Sequence, residues 1–267
     1  MIPNYKLKEK SPVMDKQTIE KLKSFKRQWN ILIIVTTIII ALSAATAQLR
    51  FPAFVIILCL VMAFFFLSQR FLKLFSEAMQ KTASTIETLK YQAQTDKLTQ
   101  LLNRNGLEQS LTTVWAFSKR YQKNIGFIMV DIDCFKNYND TLGHFEGDNI
   151  LRQVSEVIRA CCKRETDIVS RIGGEEFLIA LSDISEPHIV KLAQDISHSI
   201  ADLKIESVGQ CSCSPFLSVS MGIATAIPKD GLSSTDLYKI ADSAMYQAKD
   251  SGRNCICFNG AVISPDK

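Results

Sequence analysis

The sequence lacks the cysteine and histidine patterns that bind zinc. It has eight cysteines and three histidines, but no C-x2-C pair, and its two C-x-C pairs have no histidine nearby. Structural zinc sites use closely spaced Cys and His ligands, so this spacing argues against one. The cysteines are better explained as reduced thiols of a cytosol-facing protein.

The sequence also has little net charge, +4, and it shows no internal repeat or low-complexity segment. Much of the positive excess stands before residue 30, whereas a nucleic-acid binder usually carries a basic stripe across its folded domain. We therefore expect no nucleic-acid polymer as a partner. The basic residues precede an apolar run, which is typical of the cytoplasmic flank of a membrane segment.

Two uncharged apolar runs, 31–49 and 51–69, follow the basic segment. Nineteen helical residues span about 28 Å, close to the thickness of a bilayer core. We predict a basic N-terminus over 1–29 and a pair of transmembrane helices over 30–69, joined by a very short external turn at Arg50, with both ends in the cytoplasm. A cleaved signal peptide and a buried pair of soluble helices are the alternatives.

The segment 70–94 is polar, with apolar residues at roughly heptad spacing. This spacing predicts a helical stalk that pairs two chains. A single solvated helix is the alternative for so short a repeat.

From residue 95 the pattern changes to alternating helices and strands. We predict helices over 104–121, 148–163, 187–203 and 235–250, and strands over 125–130, 168–172, 177–181, 216–225 and 255–258. The alternation predicts one α/β domain with a single central sheet over 95–260, followed by a tail, 261–267.

Two acidic residues, Asp131 and Asp133, directly follow the buried strand pattern of 125–130. Carboxylates are costly to bury, so we expect both to face a solvated cleft or bind a cation. Glu175 and Glu176 follow a Gly-Gly pair that suits a tight hairpin turn. If the strands are neighbours, Asp131 and one of these glutamates converge as hard oxygen ligands for Mg²⁺, and such a site suits phosphoryl transfer. An exposed acidic hairpin is the alternative.

Two cations, Lys249 and Arg253, stand at the end of the last predicted helix, beside the helix stop Gly252. Cations are favourable at any helix C-terminus, so this position alone assigns them no ligand.

Five segments, in this order, resemble the GGDEF-domain diguanylate cyclases: TDKLTQLLNR, DIDCFKNYNDTLGHFEGD, RETDIVSRIGGEEF, SVSMGIA and ADSAMYQAKDSGRN. The resemblance extends over 93–258. It implies a ferredoxin-like core, with a central, mostly antiparallel sheet flanked by helices. It also implies one GTP per subunit and condensation of two GTP molecules into cyclic di-GMP across a homodimer.

The resemblance also implies roles for single residues. The metal ligands for Mg²⁺, or Mn²⁺ in its place, would be Asp131, the backbone carbonyl of Ile132, and Glu175. The catalytic group would add Glu176 and Lys136. The substrate-binding residues would be Asn139 and Asp148 for guanine, His144 in the pocket, Gly173 and Gly174 beside the nucleotide, and Lys249 and Arg253 at the phosphates. A purely structural His144 is the alternative for that residue.

A further motif, Arg164-Glu165-Thr166-Asp167, stands five residues before the Gly-Gly pair. In the family an RxxD motif at this spacing, here Arg164 and Asp167, is the inhibitory product site; a surface helix end is the alternative. Gln100 and Asn105 depart from the family pattern, which usually has Gly and Arg there.

The expected protein is thus a multi-pass bacterial inner-membrane cyclase with its catalytic domain in the cytoplasm. A catalytically inactive GGDEF module that binds GTP or cyclic di-GMP as a receptor is the main alternative. A membrane sensor or scaffold is the third.

Overall fold

The computed structural model of this chain describes residues 27, 29–31, 33–42, 45, 51–209 and 213–264. The chain divides into two compact units, Met1–Lys90 and Tyr91–Lys267. The predicted basic N-terminus before residue 27 and the predicted turn at Arg50 lie outside the described residues.

A single long helix dominates the first unit. Helix α1 (Phe51–Gln94) has 44 residues and joins the second apolar run to the predicted stalk without a break. No Gly or Pro occurs over 53–94, so nothing in the sequence interrupts the helix. Among the described residues it is the one helix long and apolar enough to cross a membrane. The second predicted membrane segment and the predicted helical stalk thus lie on one continuous helix, and the division between them at residue 70 stays a prediction.

The first apolar run is also helical where it is described, over the shorter stretch Trp29–Leu42. The Gln69 side-chain amide donates a 3.0 Å hydrogen bond to the Asn30 side-chain oxygen. The start of the first run therefore lies beside the end of the second. The transmembrane pair itself stays a prediction, because among the described residues only α1 reaches the length of a membrane span.

The second unit contains a six-stranded sheet in the order β2-β3-β1-β4-β5-β6. The strands are β1 (Ile125–Ile132), β2 (Ile168–Gly173), β3 (Glu176–Ser182), β4 (Val219–Ala226), β5 (Ile256–Phe258) and β6 (Ala261–Ile263). All neighbouring pairs are antiparallel except β4 with β5. The predicted mixed α+β fold with a mostly antiparallel sheet is confirmed, and β1 to β4 follow the ferredoxin-like β-α-β-β-α-β succession.

Helices cover both faces of this sheet. They are α2 (Arg104–Tyr121), α3 (Phe135–Leu142), α4 (His144–Cys161), α5 (Glu186–Ala201) and α6 (Ser234–Asp250). Helices α4 and α5 pack on the face that carries Ile128 and Val130, and α2 and α6 pack on the face that carries Phe127 and Met129. Because both faces are covered, every residue of β1 is buried, which explains its continuous apolar run.

Helix α6 lies unusually close to the sheet because of one glycine. A side chain at Gly222, in the middle of β4, would collide with the Ala241 carbonyl and the Met245 amide of α6. Glycine therefore permits the middle of α6 to pack directly on β4.

Two short elements were missed from the sequence. Helix α3 occupies the segment after Asp133, for which the sequence pattern predicts neither helix nor strand, and α4 begins at His144 rather than at residue 148. Strand β6 forms an antiparallel hairpin with β5, so the sheet extends into the segment predicted as a tail.

Candidate active site

The acidic residues meet at one end of β1. In the register of β1 and β3, Asp131 is paired with Glu176, and the Ile132 N–H donates to the Glu175 carbonyl at 3.4 Å. Because side chains alternate along a strand, Asp131 shares the sheet face of Met129, which α6 covers. Asp131 and the two glutamates are therefore neighbours across adjacent strands, and a metal shared by their oxygens stays a prediction.

Lys249, in the last turn of α6, supplies positive charge to this cluster. Its Nζ lies 2.8 Å from Oδ2 of Asp131, which is 3% exposed. Burial raises the pKa of Asp131 to about 6, against the Lys249 charge and with a contribution from the charges of Glu175 and Glu176. Burial likewise raises the pKa of Glu175. The Lys249 charge therefore offsets only part of the cost of burying these carboxylates, and a bound cation would stabilise their ionised forms.

The turn between β2 and β3 presents an open surface beside these carboxylates. Gly173 and Gly174 are exposed, and Gly174 has a φ of +39°. A side chain added at either position would meet no atom within 4 Å. The backbone of the hairpin is thus accessible to a ligand.

An arginine that the sequence reasoning did not single out holds this hairpin. Arg171 donates to the Gly174 carbonyl from Nε at 3.0 Å and from Nη2 at 2.7 Å. Its Nη1 lies 3.1 Å from Oδ1 of Asp96, which also accepts from the N–H and hydroxyl of Thr99. Asp96 and Arg171 stand inside TDKLTQLLNR and RETDIVSRIGGEEF, two of the segments that carry the family resemblance.

The residues expected to read guanine lie on consecutive helices. Asn139 is in α3 and Asp148 is in α4, and both are half-buried. A side chain at Gly147 would collide with the Asn139 side-chain oxygen, so Asn139 packs against the backbone immediately before Asp148. His144 is exposed at the start of α4. This arrangement keeps the predicted pair close together.

The remaining cations, Lys136 in α3 and Arg253 after α6, are both exposed. Arg253 has a left-handed φ of +64°. No hydrogen bond or ion pair ties either side chain to another described residue, so both could reach a ligand.

The expectation that Asp133 faces a cleft or a cation is wrong. This residue is 3% exposed, and its carboxylate accepts from the hydroxyls of Ser218 and Ser220 at 2.7 and 2.6 Å and from the Asn254 N–H at 3.0 Å. Three neutral donors thus hydrogen-bond to the carboxylate, and a buried carboxylate requires such partners. The sequence could not reveal this, because the donors stand about a hundred residues away in the chain.

The RETD segment forms its own turn. Oδ2 of Asp167 accepts from the Arg164 N–H at 3.0 Å, while Oδ1 is buried without a hydrogen-bond partner among the described residues. Arg164 is exposed and lines a cavity of about 470 Å³ together with Asn124, Asp183, Ile184, Ser185 and His188. An exposed arginine with five guanidinium donors beside a cavity suits an anionic or purine ligand.

The donor set suits Mg²⁺ held together with a nucleotide. Among the described residues no three His, Cys, Asp or Glu side chains form a preformed metal cage. Mg²⁺ commonly binds one or two carboxylates and completes its octahedron with phosphate oxygens and water. Asp131 and Glu175, whose pKa values are both raised, fit that mode of binding.

The second unit has clear relatives. The chain is 34% identical over 182 residues to the diguanylate cyclase DgcS of Shewanella oneidensis, covering 68% of this chain and 58% of DgcS. It is 34% identical over 181 residues to the cyclic di-GMP phosphodiesterase PdeR of Escherichia coli, covering 67% of this chain and 25% of PdeR. It thus spans less than two thirds of either relative.

Solved structures share the fold. The crystal structure of the coiled coil and GGDEF domain of DgcB from Caulobacter crescentus in complex with c-di-GMP has a TM-score of 0.63 and 26% sequence identity, and the match covers 72% of this chain and 98% of that one. Residues 93–255 match the family model described as diguanylate cyclase, GGDEF domain. That match takes in the acidic cluster, the glycine hairpin and the end of α6, and the chain belongs to the GGDEF-domain diguanylate cyclase family.

Proposed function

We propose that this protein is a membrane-anchored diguanylate cyclase that condenses two GTP molecules into cyclic di-GMP and two pyrophosphates. The observation that carries the proposal is the charge cluster of Asp131, Glu175, Glu176 and Lys249 beside the exposed glycine turn. A partly compensated acidic centre next to accessible backbone is suited to a metal-bound triphosphate.

In this proposal Asp131, the carbonyl of Ile132, and Glu175 hold Mg²⁺, or Mn²⁺ in its place. Bound there, the ion would neutralise phosphate charge and lower the pKa of the attacking hydroxyl. Glu175, assisted by Glu176, takes the proton from the 3′-hydroxyl of one GTP. That oxygen forms a bond to the α-phosphorus of the other GTP as the bond to the leaving pyrophosphate breaks, and a second such attack closes the ring.

The other residues bind and orient the substrate. Asn139 and Asp148 satisfy the guanine edge with an amide and a carboxylate, which adenine cannot match, and His144 lines the pocket. Lys249 and Arg253 contact phosphate oxygens, and Lys136 stabilises charge that develops at the reacting phosphate. Gly173 and Gly174 leave room for the nucleotide.

The reaction needs two such sites facing each other, so we propose a homodimer. Helix α1 offers a surface for pairing, because exposed apolar residues recur along its stalk portion: Phe71, Leu74, Phe75, Met79, Ile86 and Leu89. Its apolar N-terminal part would cross the bacterial inner membrane with the first apolar run as an antiparallel pair, which the Gln69–Asn30 hydrogen bond supports. The catalytic domain would then face the cytoplasm.

We further propose feedback inhibition by cyclic di-GMP at Arg164 and Asp167. The exposed guanidinium beside a cavity supports this assignment, since arginine makes bidentate contacts with phosphate or guanine.

A second candidate is a catalytically inactive domain that binds GTP or cyclic di-GMP as a receptor. The similarity to PdeR favours it, because a protein named as a phosphodiesterase carries a matching segment over 25% of its length. The intact Gly173, Gly174, Glu175 and Glu176 favour the cyclase.

A product assay separates the two candidates. The purified full-length protein, in lipid nanodiscs with Mg²⁺, should convert GTP but not ATP to a cyclic dinucleotide, and Glu175→Gln should lower the rate by at least about a hundredfold, as loss of a catalytic acid–base group does. Added cyclic di-GMP should inhibit the wild type and inhibit Arg164→Ala less. Binding of GTP without product would instead establish the receptor.

A further inference from the structure

Asp133 is a buried carboxylate to which the proposed chemistry gives no role. It accepts hydrogen bonds from two serine hydroxyls of the β4 region and from the Asn254 N–H. No cation pairs with it within the part of the chain that the structure describes. Such a group needs a structural reason, because burying a carboxylate is costly.

The Asn254 N–H belongs to a strained segment of backbone. Gly252, Arg253 and Asn254 have φ values of +109°, +64° and +47°, so three consecutive residues are left-handed. Residues with a Cβ avoid this region unless surrounding contacts hold them in it. The hydrogen bond from Asn254 to Asp133 is such a contact, and the Arg253 N–H supplies another by donating to the Ala248 carbonyl at 3.1 Å.

This strained segment connects α6, which carries the cation Lys249, to β5, and it contains the second cation, Arg253. It begins just after α6, which ends at Asp250 and carries Lys249, and it leads into β5 at Ile256. Arg253 lies within it, exposed, one residue before the bond to Asp133. By fixing the backbone conformation of this segment, Asp133 therefore sets the position and direction of the Arg253 side chain where it leaves the main chain.

We propose that Asp133 is a positioning residue for the triphosphate: through the Asn254 N–H it holds Arg253, and to a lesser degree Lys249, in phosphate-binding position. It touches neither substrate nor metal. The proposal rests on GTP being the ligand, as the proposed function has it, but it does not require turnover. It assigns the two closely spaced carboxylates different roles, Asp131 at the metal and Asp133 behind the phosphate-binding loop.

The experiment compares ligands with and without phosphate on the full-length protein in nanodiscs with Mg²⁺. The probes are 3′-deoxy-GTP, which lacks the attacking hydroxyl and cannot condense, and guanosine. In Asp133→Ala we expect about tenfold weaker binding of 3′-deoxy-GTP, as is typical when a supporting partner is removed, and unchanged binding of guanosine. Asp230→Ala removes an exposed aspartate that pairs with Lys119, and it should change neither.

Asp133→Asn provides the rescue. Its amide oxygen can accept from the Asn254 N–H and from Ser218, and its amide group can donate to the Ser220 hydroxyl, which can reverse to accept. We therefore expect binding of 3′-deoxy-GTP close to that of the wild type. A metal ligand would not tolerate this change, so equal damage from Asn and Ala would overturn the proposal.

A double-mutant cycle tests the route through Arg253. If Asp133 acts by positioning Arg253, then Asp133→Ala should weaken 3′-deoxy-GTP binding much less in an Arg253→Ala background. The proposal would be overturned if Asp133→Ala lowered the affinity for 3′-deoxy-GTP equally in both backgrounds. It would also be overturned if the substitution lowered the affinities for guanosine and 3′-deoxy-GTP equally.

If Asp133→Ala does not fold, Asp133→Leu takes its place with the same expectations, because it fills a similar volume and offers the Asn254 N–H no acceptor. A product assay with GTP on the wild type runs alongside. Selective loss of 3′-deoxy-GTP binding without cyclic product would refute the cyclase and keep the positioning role. Formation of cyclic product, together with 3′-deoxy-GTP binding that Asp133→Ala leaves unchanged, would support the cyclase and refute the positioning role.

Discussion

At the scale of single residues, the site holds negative charge that the fold itself disfavours. Burial raises the pKa of Asp131 to about 6, from a usual value of 3.8, although Lys249 stands 2.8 Å away. A carboxyl with a raised pKa contributes stability at low pH, and that stability is lost as the pH rises through the pKa in the folded state. The metal-free domain is therefore weakened near neutral pH by the residue that we expect to bind the metal.

The first prediction concerns this pH dependence. Measured in EDTA, the stability of Asp131→Asn relative to the wild type should rise between pH 4 and pH 7.5, because the amide does not ionise. The rise should be about 2 kcal/mol, because the pKa moves from 3.8 to about 6, one pKa unit corresponds to about 1.4 kcal/mol, and at pH 4 the unfolded-state carboxyl is already more than half ionised. Denaturant unfolding curves at several pH values would measure it.

Asp230 provides a control in which the stability difference should change with pH in the opposite direction. The hydrogen bond and the charge of Lys119 lower the pKa of the exposed Asp230, so Asp230→Asn should lose a little stability relative to the wild type over the same rise in pH. A stability difference for Asp131→Asn that stays constant with pH would contradict the assignment of the shift to this carboxyl.

The contrast between Asp131 and Asp133 shows what the sequence around a strand end does not specify. Both carboxylates follow the same strand pattern, and both were predicted to face a cleft or a cation. What separates them is their partners: Lys249 for one, and Ser218, Ser220 and Asn254 for the other. The serine contacts depend on the register between β1 and β4, and the contacts of Lys249 and Asn254 depend on how the end of α6 packs. No local sequence pattern specifies either.

At the scale of elements, the longer and more buried helices and strands could be predicted from the sequence, and the short exposed ones could not. Strand β1 and helices α2, α5 and α6 were predicted within a few residues of their bounds, because their apolar spacing reflects the buried faces they present. Helix α3 has eight residues and only two buried ones, and β6 has three residues with none buried. Segments so short carry no periodicity that could be recognised.

The β2–β3 hairpin is the element on which the second prediction bears. Arg171 holds the Gly174 carbonyl with two hydrogen bonds and links it to Asp96. Arg171→Lys keeps the charge but loses the planar fork that makes these bonds together. We expect it to lower kcat about tenfold or more, since small displacements of catalytic groups are costly, while the affinity for guanosine stays unchanged.

The matched control is Arg120→Lys, because Arg120 stacks over Tyr121 on α2. It should leave kcat at the wild-type value. A wild-type kcat in Arg171→Lys would show that the hairpin keeps its geometry without the guanidinium.

At the scale of the whole molecule, the two units of the chain have different proposed roles. All the residues proposed for chemistry lie in the unit Tyr91–Lys267, and α1 supplies the apolar length. In the proposed reaction each site carries only one of the two GTP molecules, so the first unit would contribute by keeping two catalytic domains together. Tethering replaces a bimolecular encounter by an effective concentration that can reach the millimolar range.

This leads to the last prediction, for a fragment that comprises 91–267. It should fold and make cyclic di-GMP, but its specific activity should rise with protein concentration, because two fragments must first meet. Fusion to a parallel dimeric coiled coil should make the specific activity high and independent of concentration, whereas fusion to a monomeric helix of equal length should not. A specific activity of the unfused fragment that is constant on dilution would mean that one domain completes the reaction alone, and the requirement for two facing sites would fall.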